Sequence, residues 1–543
     1  MSNASASVRS YDRVGPGHWL LPIILAGCTA TPSAPVATGP VSTDCTGLVG
    51  LALPGAVVLS AEPVAAGRFK AEDIKGKPEL VAFCRVVGSA RPSIDSDIRF
   101  EIWLPEVGWN GRLWGVGNGN FAGSTSQRAL GNRVAMGYAA VATDAGHEAD
   151  SMDASWASGH PEKIADFGHR GVHEAVVNAK RIVAAFYGRK PSRAYFGSCS
   201  NGGREALMEA QRYPDDYDGI IAGAPAGDWT HLFLGHARIQ FAWLADDSRR
   251  VSARKLLALQ SAVLAACDGL DGVKDGVIED PRRCAFDPST LACSGTETDR
   301  CLTLPQLETV QKLYAGQLSS PGRPLFPGYA PGSEGGWGEM QFGSAPRTGE
   351  GFKYAIGFFR NFVFEDPKWD FHSFEPERDG RLTDERLASA LNATDPDLRK
   401  FAARGGKLIM YHGWSDAVIP SQSSIDYYQQ VRGVMGEAGA NAAVRLFMAP
   451  GVEHCDGGPG PNSFGQFSAG AGDPDTSLGA ALQRWVEQGT APERIVATKL
   501  SNDDDPSSEV VRSRPLCAWP LVARYRGEGN TDAASSFDCG PPR

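Results

Sequence analysis

Apolar and polar positions alternate along much of the chain in blocks that predict a parallel sheet flanked by helices. Apolar runs of strand length cover residues 137–143, 194–197, 219–223, 407–411 and 444–448. Segments with apolar residues at helical spacing cover residues 172–187, 204–212, 421–433 and 478–488. Strand, helix and strand in this order make right-handed βαβ units, so the pattern predicts an α/β fold.

Two regions depart from this alternation. The apolar runs 98–104 and 113–116 are separated by Pro105 and a polar Trp109-Asn110-Gly111 turn, which predicts a hairpin of edge strands. After Trp229 the chain becomes rich in Gly, Pro, Trp and Phe and shows no clear strand alternation until Gly405. We interpret this stretch as a large insertion in the sheet.

The N-terminus has the features of an export signal. Two arginines precede an apolar run over 19–26, which is too short to span a bilayer. Residues 25–28 resemble the bacterial lipobox, in which the signal is removed and the new N-terminal Cys28 is lipidated; the alternative is an ordinary signal peptide with a chance cysteine. The Pro-rich stretch 29–43 is typical of a tether. We expect an exported protein, anchored by lipid to the bacterial outer membrane on its periplasmic or outer side.

Composition narrows the class of protein. The 543 residues are 42% hydrophobic and 21% charged, which provides ample material for a globular core. The net charge of -10 argues against a nucleic-acid partner. Of eleven cysteines, removal of Cys28 leaves ten, and an even number in an exported chain implies disulfides.

A candidate nucleophile lies between the predicted strand 194–197 and the helix 204–212. The turn Ser198-Cys199-Ser200-Asn201-Gly202-Gly203 is built from small residues, as a nucleophile elbow requires because its backbone doubles back. Its first position is Ser198, where the G-x-S-x-G pattern has glycine. On these residues alone, Ser200 is either a nucleophile or the N-cap of the following helix.

A candidate acid and base follow in the chain order of an α/β hydrolase, at the ends of later strands. Asp416 comes directly after one predicted strand, and His454 directly after the next. Alternatively, Asp416 caps the helix near Pro420 and His454 is one loop histidine among ten. The coincidence of all three favours a Ser200, Asp416 and His454 triad in an α/β-hydrolase fold with a large inserted lid domain.

In the mechanism that this triad predicts, His454 accepts the Ser200 proton, Asp416 orients the imidazole, and water hydrolyses an acyl-enzyme. The oxyanion hole is expected from backbone N–H groups of Asn201, Gly119 and Asn120. Cys199 precedes the candidate nucleophile and Cys455 follows the candidate base. A bridge between these two sulfurs would fix the separation of the two catalytic groups.

Cys-Ser, a later Asp and a final His-Cys, in this order, resemble the tannase and feruloyl esterase family, which includes the hydrolase of mono(2-hydroxyethyl) terephthalate. The likeness covers nearly the whole chain after the tether. It runs through the segments Trp109-Asn110-Gly111-Arg112, Cys199-Ser200-Asn201-Gly202-Gly203-Arg204-Glu205, Gly223-Ala224-Pro225 and Tyr411-His412-Gly413. The resemblance implies a carboxylic ester hydrolase.

The resemblance also implies a disulfide framework and a structural calcium ion. The implied pairs are Cys45 with Cys84, Cys199 with Cys455, Cys267 with Cys284, Cys293 with Cys301, and Cys517 with Cys539. The implied calcium ligands are the side chains of Asp268, Asp271 and Asp275 and the carbonyls of Val273 and Val277. Their carboxylates and glycines suit a hard cation, although a solvated acidic loop explains the same residues.

Substrate choice is expected to depend on the inserted lid. Aromatic residues that offer a surface for an aryl acyl group are Tyr354, Phe358, Phe359 and Trp337; alternatively, they form the lid core. The resemblance also implies that the terephthalate monoester hydrolase of this family binds the free carboxylate of its substrate with an arginine in the lid. The nearest match to that arginine in this sequence is Tyr354, although Lys353 or Arg360 could take its place. A feruloyl or related hydroxycinnamoyl ester is therefore expected first, and a gallate ester second.

We expect a monomer that acts on a small aromatic ester and meets the membrane only through its lipid anchor. The expected domains are a signal peptide (1–27), a tether (28–44), a catalytic domain (45–229 and 385–543) and a lid with the calcium loop (230–384). A lipid-anchored binding protein that has lost activity is the alternative of a different class. The presence of all three triad candidates speaks against it.

Overall fold

A nine-stranded mixed sheet forms the centre of the computed structural model, which describes residues 44–69, 80–318, 322, 324–470, 472–505 and 507–542. The expected signal peptide and Cys28 lie outside the described residues, as does all of the tether except Asp44. The strands are β1 Ala56–Val64, β2 Phe83–Ala90, β3 Ile98–Pro105, β4 Arg112–Gly115, β5 Ala139–Thr143, β6 Arg193–Cys199, β7 Gly219–Gly223, β8 Gln317–Leu318, β9 Pro324–Phe326, β10 Lys407–Gly413, β11 Val444–Ala449, β12 Arg494–Leu500, β13 Val510–Cys517, β14 Val522–Tyr525 and β15 Phe537–Gly540.

The strand order in the main sheet is β1-β2-β3-β5-β4-β6-β7-β10-β11. The six strands from β5 to β11 in this order are parallel. β3, β2 and β1 extend the sheet at the β5 edge, and each pairs antiparallel with its neighbour. The hairpin predicted from 98–104 and 113–116 is wrong, because β5 lies between β3 and β4. Their continuous apolar runs belong to interior strands that are covered on both faces.

Helices cover both faces of the sheet. They are α1 Gln127–Ala135, α2 Pro161–Ala165, α3 Gly171–Tyr187, α4 Asn201–Arg212, α5 Trp229–Ala245, α6 Ala253–Cys267, α7 Leu304–Ala315, α8 Glu350–Phe358, α9 Pro376–Thr383, α10 Ser389–Leu391, α11 Arg399–Ala403, α12 Gln422–Ala443 and α13 Leu478–Gln488. One hydrophobic cluster joins the sheet to α3, α4 and α12, and a second joins the opposite face to α1 and α13. Successive apolar residues of β5 and β10 alternate between the two clusters, as the side-chain period of a strand requires.

The insertion between β7 and β10 is mostly helical, with one short antiparallel pair, β8 and β9. Its aromatic rings pack against each other: the Phe358 ring lies 4.7 Å from that of Phe233, and the Phe359 ring stacks on Trp369 at 5.6 Å. The same cluster includes Phe121 from the catalytic part of the chain. The described residues form one compact unit, so the insertion shares its core with the sheet region.

Five disulfides staple the fold. The bonded pairs are Cys45 with Cys84, Cys199 with Cys455, Cys267 with Cys284, Cys293 with Cys301, and Cys517 with Cys539. These are the five pairs that the family resemblance implied. Bridges of this number persist in oxidising compartments, which indicates an extracytoplasmic protein. In the described part of the chain, no helix combines the length and apolar character needed to cross a bilayer.

Candidate active site

Ser200 occupies a strained turn between β6 and α4. Its backbone adopts φ 65° and ψ -124°, a left-handed conformation that non-glycine residues rarely adopt. The turn is held by the next strand, because the Ser200 N–H donates to the Gly223 carbonyl at 2.9 Å and the Ser200 carbonyl accepts from Ala226 N–H at 3.1 Å. Strain of this kind persists only where surrounding bonds impose it, and it is concentrated at functional sites.

The Ser200 hydroxyl does not act as a helix cap. Ser200 is the residue before α4, but its side chain makes no capping hydrogen bond to that helix. Its side chain is half-buried rather than enclosed. The N-cap alternative therefore does not describe Ser200, and its hydroxyl remains available for other chemistry.

Asp416 lies in the loop that follows β10 and is fully buried. One carboxylate oxygen, Oδ1, accepts from the backbone N–H groups of Val418 at 2.8 Å and Ile419 at 2.9 Å. The other oxygen, Oδ2, lies 2.8 Å from His454 Nδ1. The carboxylate thus shapes its own loop with one oxygen and orients the histidine with the other.

The charges of this pair stabilise each other. Burial alone would raise the pKa of Asp416, but the charges and hydrogen bonds of His454 and His412 hold it well below the ordinary value. Burial alone would lower the pKa of His454, but the Asp416 carboxylate raises it above the ordinary value. A histidine with one nitrogen bound to an anionic carboxylate presents the other nitrogen as a base.

His412 is a second histidine in contact with Asp416, in addition to the predicted His454. Its Nε2 lies 3.1 Å from Asp416 Oδ2, and its Nδ1 lies 2.7 Å from the Ser424 hydroxyl. His412 is fully buried at the end of β10. Its position in the Tyr411-His412-Gly413 motif was the sequence signal that could have identified it.

The bridge between Cys199 and Cys455 joins two segments of the candidate site. One is the turn around Ser200 (residues 198–203), called the nucleophile turn below, and the other is the loop that carries His454, called the histidine loop. The two cysteine Cα atoms are 5.9 Å apart, although the residues are separated by 256 positions in the chain. Ser200 follows Cys199 directly and His454 precedes Cys455 directly. The covalent link therefore holds the candidate nucleophile and the candidate base on neighbouring loops.

The loop predicted to supply oxyanion-hole donors lies against the first turn of α4. A side chain on Gly202 would come within 3.1 Å of the Asn118 carbonyl, so the two backbones approach closely. Asn120 has a positive φ of 45°, and no atom lies within 4 Å of the position that a Gly119 side chain would take. Asn201, Gly119 and Asn120 thus belong to two adjoining segments, with open space beside Gly119.

Three of the four predicted substrate contacts are buried in the packing of the insertion. Phe358 and Phe359 belong to the aromatic cluster of the insertion. Trp337 lies in a separate hydrophobic cluster of the insertion, which it forms with residues of α6 and α7. Each has 0% exposure, which favours the alternative that these rings form the lid core.

Tyr354 differs from these rings because it is partly exposed. Its hydroxyl lies 3.4 Å from Glu350 at the start of α8, and the charge of Glu350 contributes to the raised pKa of His454. This end of α8 therefore lies toward the candidate base. Of the possible lid cations, Lys353 is exposed and Arg360 donates to the Trp369 carbonyl at 3.0 Å.

The acidic loop after α6 is folded around its own backbone. Asp268 accepts from the N–H groups of Asp275 and Gly276, and Asp271 accepts from Val273 N–H at 2.9 Å. Asp275 pairs with Arg514 of β13. Asp271, Asp275, Val277 and Glu279 line one small cavity, but no three His, Cys, Asp or Glu side chains in the described ranges are placed to hold a metal ion.

Comparison with known proteins places the chain in a family. The sequence model described as Tannase and feruloyl esterase matches residues 84–540. The chain belongs to the tannase and feruloyl esterase family. The α/β-hydrolase fold and the carboxylic ester hydrolase activity expected from the sequence are thereby confirmed.

Individual members of the family resemble the chain over most of its length. An uncharacterised esterase of Xanthomonas campestris pv. campestris is 41% identical over 95% of this chain and 94% of its own. A probable feruloyl esterase B-1 of Aspergillus flavus is 32% identical over 84% of this chain and 86% of its own. The crystal structure of feruloyl esterase B from Aspergillus oryzae superposes with a TM-score of 0.84, at 29% identity, over 92% of this chain and all of that one.

Proposed function

We propose that this esterase is a serine hydrolase that cleaves aromatic, hydroxycinnamoyl-type esters through an acyl-enzyme. His454 takes the proton of the Ser200 hydroxyl as its oxygen bonds to the ester carbonyl carbon. The tetrahedral oxyanion is stabilised by backbone N–H groups of Asn201, Gly119 and Asn120. Collapse of the intermediate breaks the bond to the alkoxy oxygen, which leaves as the alcohol with the proton held by His454.

Water completes the cycle. His454 deprotonates a water molecule, which attacks the acyl carbon, and the Ser200 oxygen regains its proton as the carboxylic acid is released. Asp416 holds the imidazole and stabilises its charged form in both halves. The single observation that supports this proposal most strongly is the strained, uncapped Ser200 beside a His454–Asp416 pair, with Cys199 and Cys455 bonded between them.

The choice of a feruloyl-type acyl group is supported by the relatives. A probable feruloyl esterase B-1 of Aspergillus flavus and feruloyl esterase B of Aspergillus oryzae both align over most of the chain. A terephthalate monoester is less favoured, because Tyr354 is the sequence match for the carboxylate-binding arginine of that hydrolase and Arg360 is bonded to a backbone carbonyl. A gallate ester remains the second candidate.

A side-by-side assay tests the substrate proposal. We expect kcat/KM to be highest for methyl ferulate, lower for methyl gallate and lowest for mono(2-hydroxyethyl) terephthalate. The Ser200→Ala protein serves as the control for contaminating esterases. A reversed order would replace the substrate class, whereas no hydrolysis of any ester together with tight binding of one would favour the inactive binding protein.

We also propose that the loop holding Asp268, Asp271 and Asp275 binds a structural calcium ion, with the carbonyls of Val273 and Val277. The three carboxylates, which here bond backbone N–H groups and Arg514, would turn toward the ion when it binds. Burial raises the pKa of Asp271 and of Asp275, and it raises that of Glu279, which shares their cavity, to about 8. Buried acidic groups of this kind are stabilised by a cation.

The calcium proposal predicts a thermal shift without a direct loss of chemistry. A ligand bound only by the native state stabilises it by about 2.7 kcal/mol at a hundredfold excess over its Kd. EDTA should lower the melting temperature, calcium should restore it, and Asp271→Ala should remove the response. Absence of bound metal by elemental analysis, with an unchanged melting curve in EDTA, would leave a solvated acidic loop.

For localisation, we propose a lipid anchor at Cys28 as the contact with the membrane and a monomer as the working form. The five disulfides support passage through an oxidising compartment. Metabolic labelling with a palmitate analogue should mark the full chain but not a Cys28→Ser variant. Absence of label from both proteins would indicate an ordinary signal peptide, and equal labelling of both would place the lipid at another residue.

A further inference from the structure

Two adjacent buried ionisable residues follow the turn that holds Ser200, and the proposed chemistry does not use them. Arg204 and Glu205 lie in the first two turns of α4 and are 0% and 2% exposed. Burial raises the pKa of Glu205 to about 7 against the opposing charge of Arg204. Because buried charges are costly unless their hydrogen bonds are satisfied, the partners of this pair indicate its role.

The Glu205 carboxylate touches both segments proposed for the oxyanion hole. Its Oε2 accepts from the backbone N–H of Asn118 at 3.0 Å, and its Oε1 accepts from the Asn201 side-chain amide at 3.3 Å. Asn118 precedes Gly119 in one segment, and Asn201 follows Ser200 in the other. One side chain thus bridges the loop and the elbow.

Each end of this bridge is fixed by a second contact. Arg204 Nε donates to the Asn201 side-chain oxygen at 2.8 Å, so the Asn201 amide is held by Arg204 on one side and Glu205 on the other. The Asn118 side-chain amide donates to the Thr143 carbonyl at 3.0 Å, at the end of β5. A rotation of either asparagine would break one of these bonds.

The close packing around the Glu205 carboxylate leaves no room for a side chain at position 117. A side chain on Gly117 would come within 2.3 Å of Glu205 Oε2, so only glycine lets the loop approach the carboxylate. The Arg204 guanidinium donates to the carbonyls of Phe167 at 2.9 Å and Gly168 at 2.6 Å, which anchors the start of α4 to the segment that precedes α3. The bridge is therefore rigid.

We propose that Glu205 is a positioning residue that sets the geometry of the oxyanion hole by joining the 117–120 loop to the nucleophile turn. Glu205 itself does not touch the substrate. The inference rests on the proposed serine mechanism and goes beyond it, because it assigns a role to a side chain outside the triad. Donors in such a hole must lie about 2.7–3.1 Å from the oxyanion, so a small shift of the loop weakens them.

The test is Glu205→Gln, which preserves shape but replaces one acceptor oxygen by an amide N–H₂. That amide faces a donor at either Asn118 or Asn201, so one arm of the bridge must break. We expect kcat on methyl ferulate to fall by about 10- to 100-fold, since misplaced catalytic groups cost about that much. The affinity for an arylboronic acid, which forms a tetrahedral adduct with a serine, should fall by a similar factor, while KM changes by less than about threefold.

Glu209→Gln is the matched control. Glu209 lies one turn farther along α4, is equally buried, and faces Asp216 instead of the 117–120 loop. Its variant should keep kcat and boronic acid affinity, whatever it does to the melting temperature. If Glu205→Gln does not fold, Asn201→Ala removes the same arm of the bridge while keeping the backbone N–H, and it should show the same pairing of lower kcat with weaker boronic acid binding.

Wild-type kcat and boronic acid affinity in folded Glu205→Gln would overturn the proposal. So would a loss of kcat with boronic acid affinity unchanged, because the oxyanion hole would then be intact. Failure of the serine mechanism is detected separately, by a Ser200→Ala protein that still hydrolyses the ester. A fluorophosphonate that labels Ser200 in the wild type, together with unaffected Glu205→Gln, would reject only the positioning role.

Discussion

The nucleophile turn and the insertion hold their residues in place by different means. Around Ser200, backbone bonds to Gly223 and Ala226, one disulfide and the buried Asp416–His454 pair hold the site in place. In the insertion, packed aromatic rings such as Phe233, Phe358 and Phe359 form the core. Directional bonds specify positions to within tenths of an ångström, whereas ring packing mainly contributes stability.

This difference separates two kinds of mutational effect. Changes near Ser200 should reduce turnover and leave the fold largely intact. Changes among the rings of the insertion should reduce stability first, even at positions where an aromatic residue looks suited to an aromatic substrate. Three variants, two matched controls and one pH profile test the separation.

The largest effect is expected from Ser200→Ala. Loss of a triad nucleophile typically lowers kcat by about a million-fold. The melting temperature should change little, because the backbone bonds that hold the turn remain. Ser198 is still present in this variant, so measurable turnover at the wild-type rate would place the nucleophile elsewhere.

Phe358→Ala should act on the other side of the comparison. Truncating a fully buried phenylalanine costs about 3–5 kcal/mol of stability, which denaturant unfolding measures directly. In the fraction that remains folded, KM for methyl ferulate should be close to wild type. Tyr354→Phe is the control on the partly exposed ring, and it should leave stability unchanged. A raised KM in Phe358→Ala at wild-type stability would indicate that this ring contacts the substrate, as the sequence predicted.

Removal of the bridge at the active site should lower turnover more than affinity. Replacing both Cys199 and Cys455 by serine frees the histidine loop from the nucleophile turn, and misplacement of this kind costs about a hundredfold in kcat. The matched control replaces Cys293 and Cys301, a bridge that spans only 8 positions within the insertion. Equal losses in the two double variants would mean that the bridge acts only through stability.

The smallest effect is a shift in the pH profile. His454 must be neutral to accept a proton, and Asp416, Asp456 and Glu350 all favour its charged form. Activity should therefore rise with pH through a midpoint above the ordinary histidine value. In Asp416→Asn the midpoint should fall, because the largest favourable charge is gone. The profile is measured as kcat/KM, which reports the pKa values of the free enzyme.

Much of the sheet and the candidate site followed from the sequence. The strand Gly219–Gly223 and the helix Leu478–Gln488 have the predicted bounds, because buried parallel strands and amphipathic helices leave strong patterns. The contact between Asp416 and His454 followed from a topological rule about strand ends. The helix predicted to end at residue 433 continues to Ala443, interrupted by a non-helical Gly436.

Other elements left weaker patterns. The edge strand β1 mixes exposed and buried positions and contains Pro63, so it lacks a clean alternation. Helix α5 is apolar on nearly every side, because it is buried within the insertion, and it therefore shows no single apolar stripe. The role of Glu205 depends on Asn118, which is 87 positions away in the chain, and spacing alone does not reveal such a contact. His412 contacts Asp416 only four positions away, so its motif was the available signal.

The bridge between Cys199 and Cys455 also determines what happens when the chain is cut. It encloses the whole insertion in a covalent ring that begins beside the nucleophile and ends beside the base. A protease that cleaves an exposed loop of the insertion therefore leaves Ser200 and His454 on fragments that stay joined. Proteases are common outside the cell. An enzyme there that is cleaved once within the insertion would keep Ser200 and His454 linked through the Cys199–Cys455 bridge.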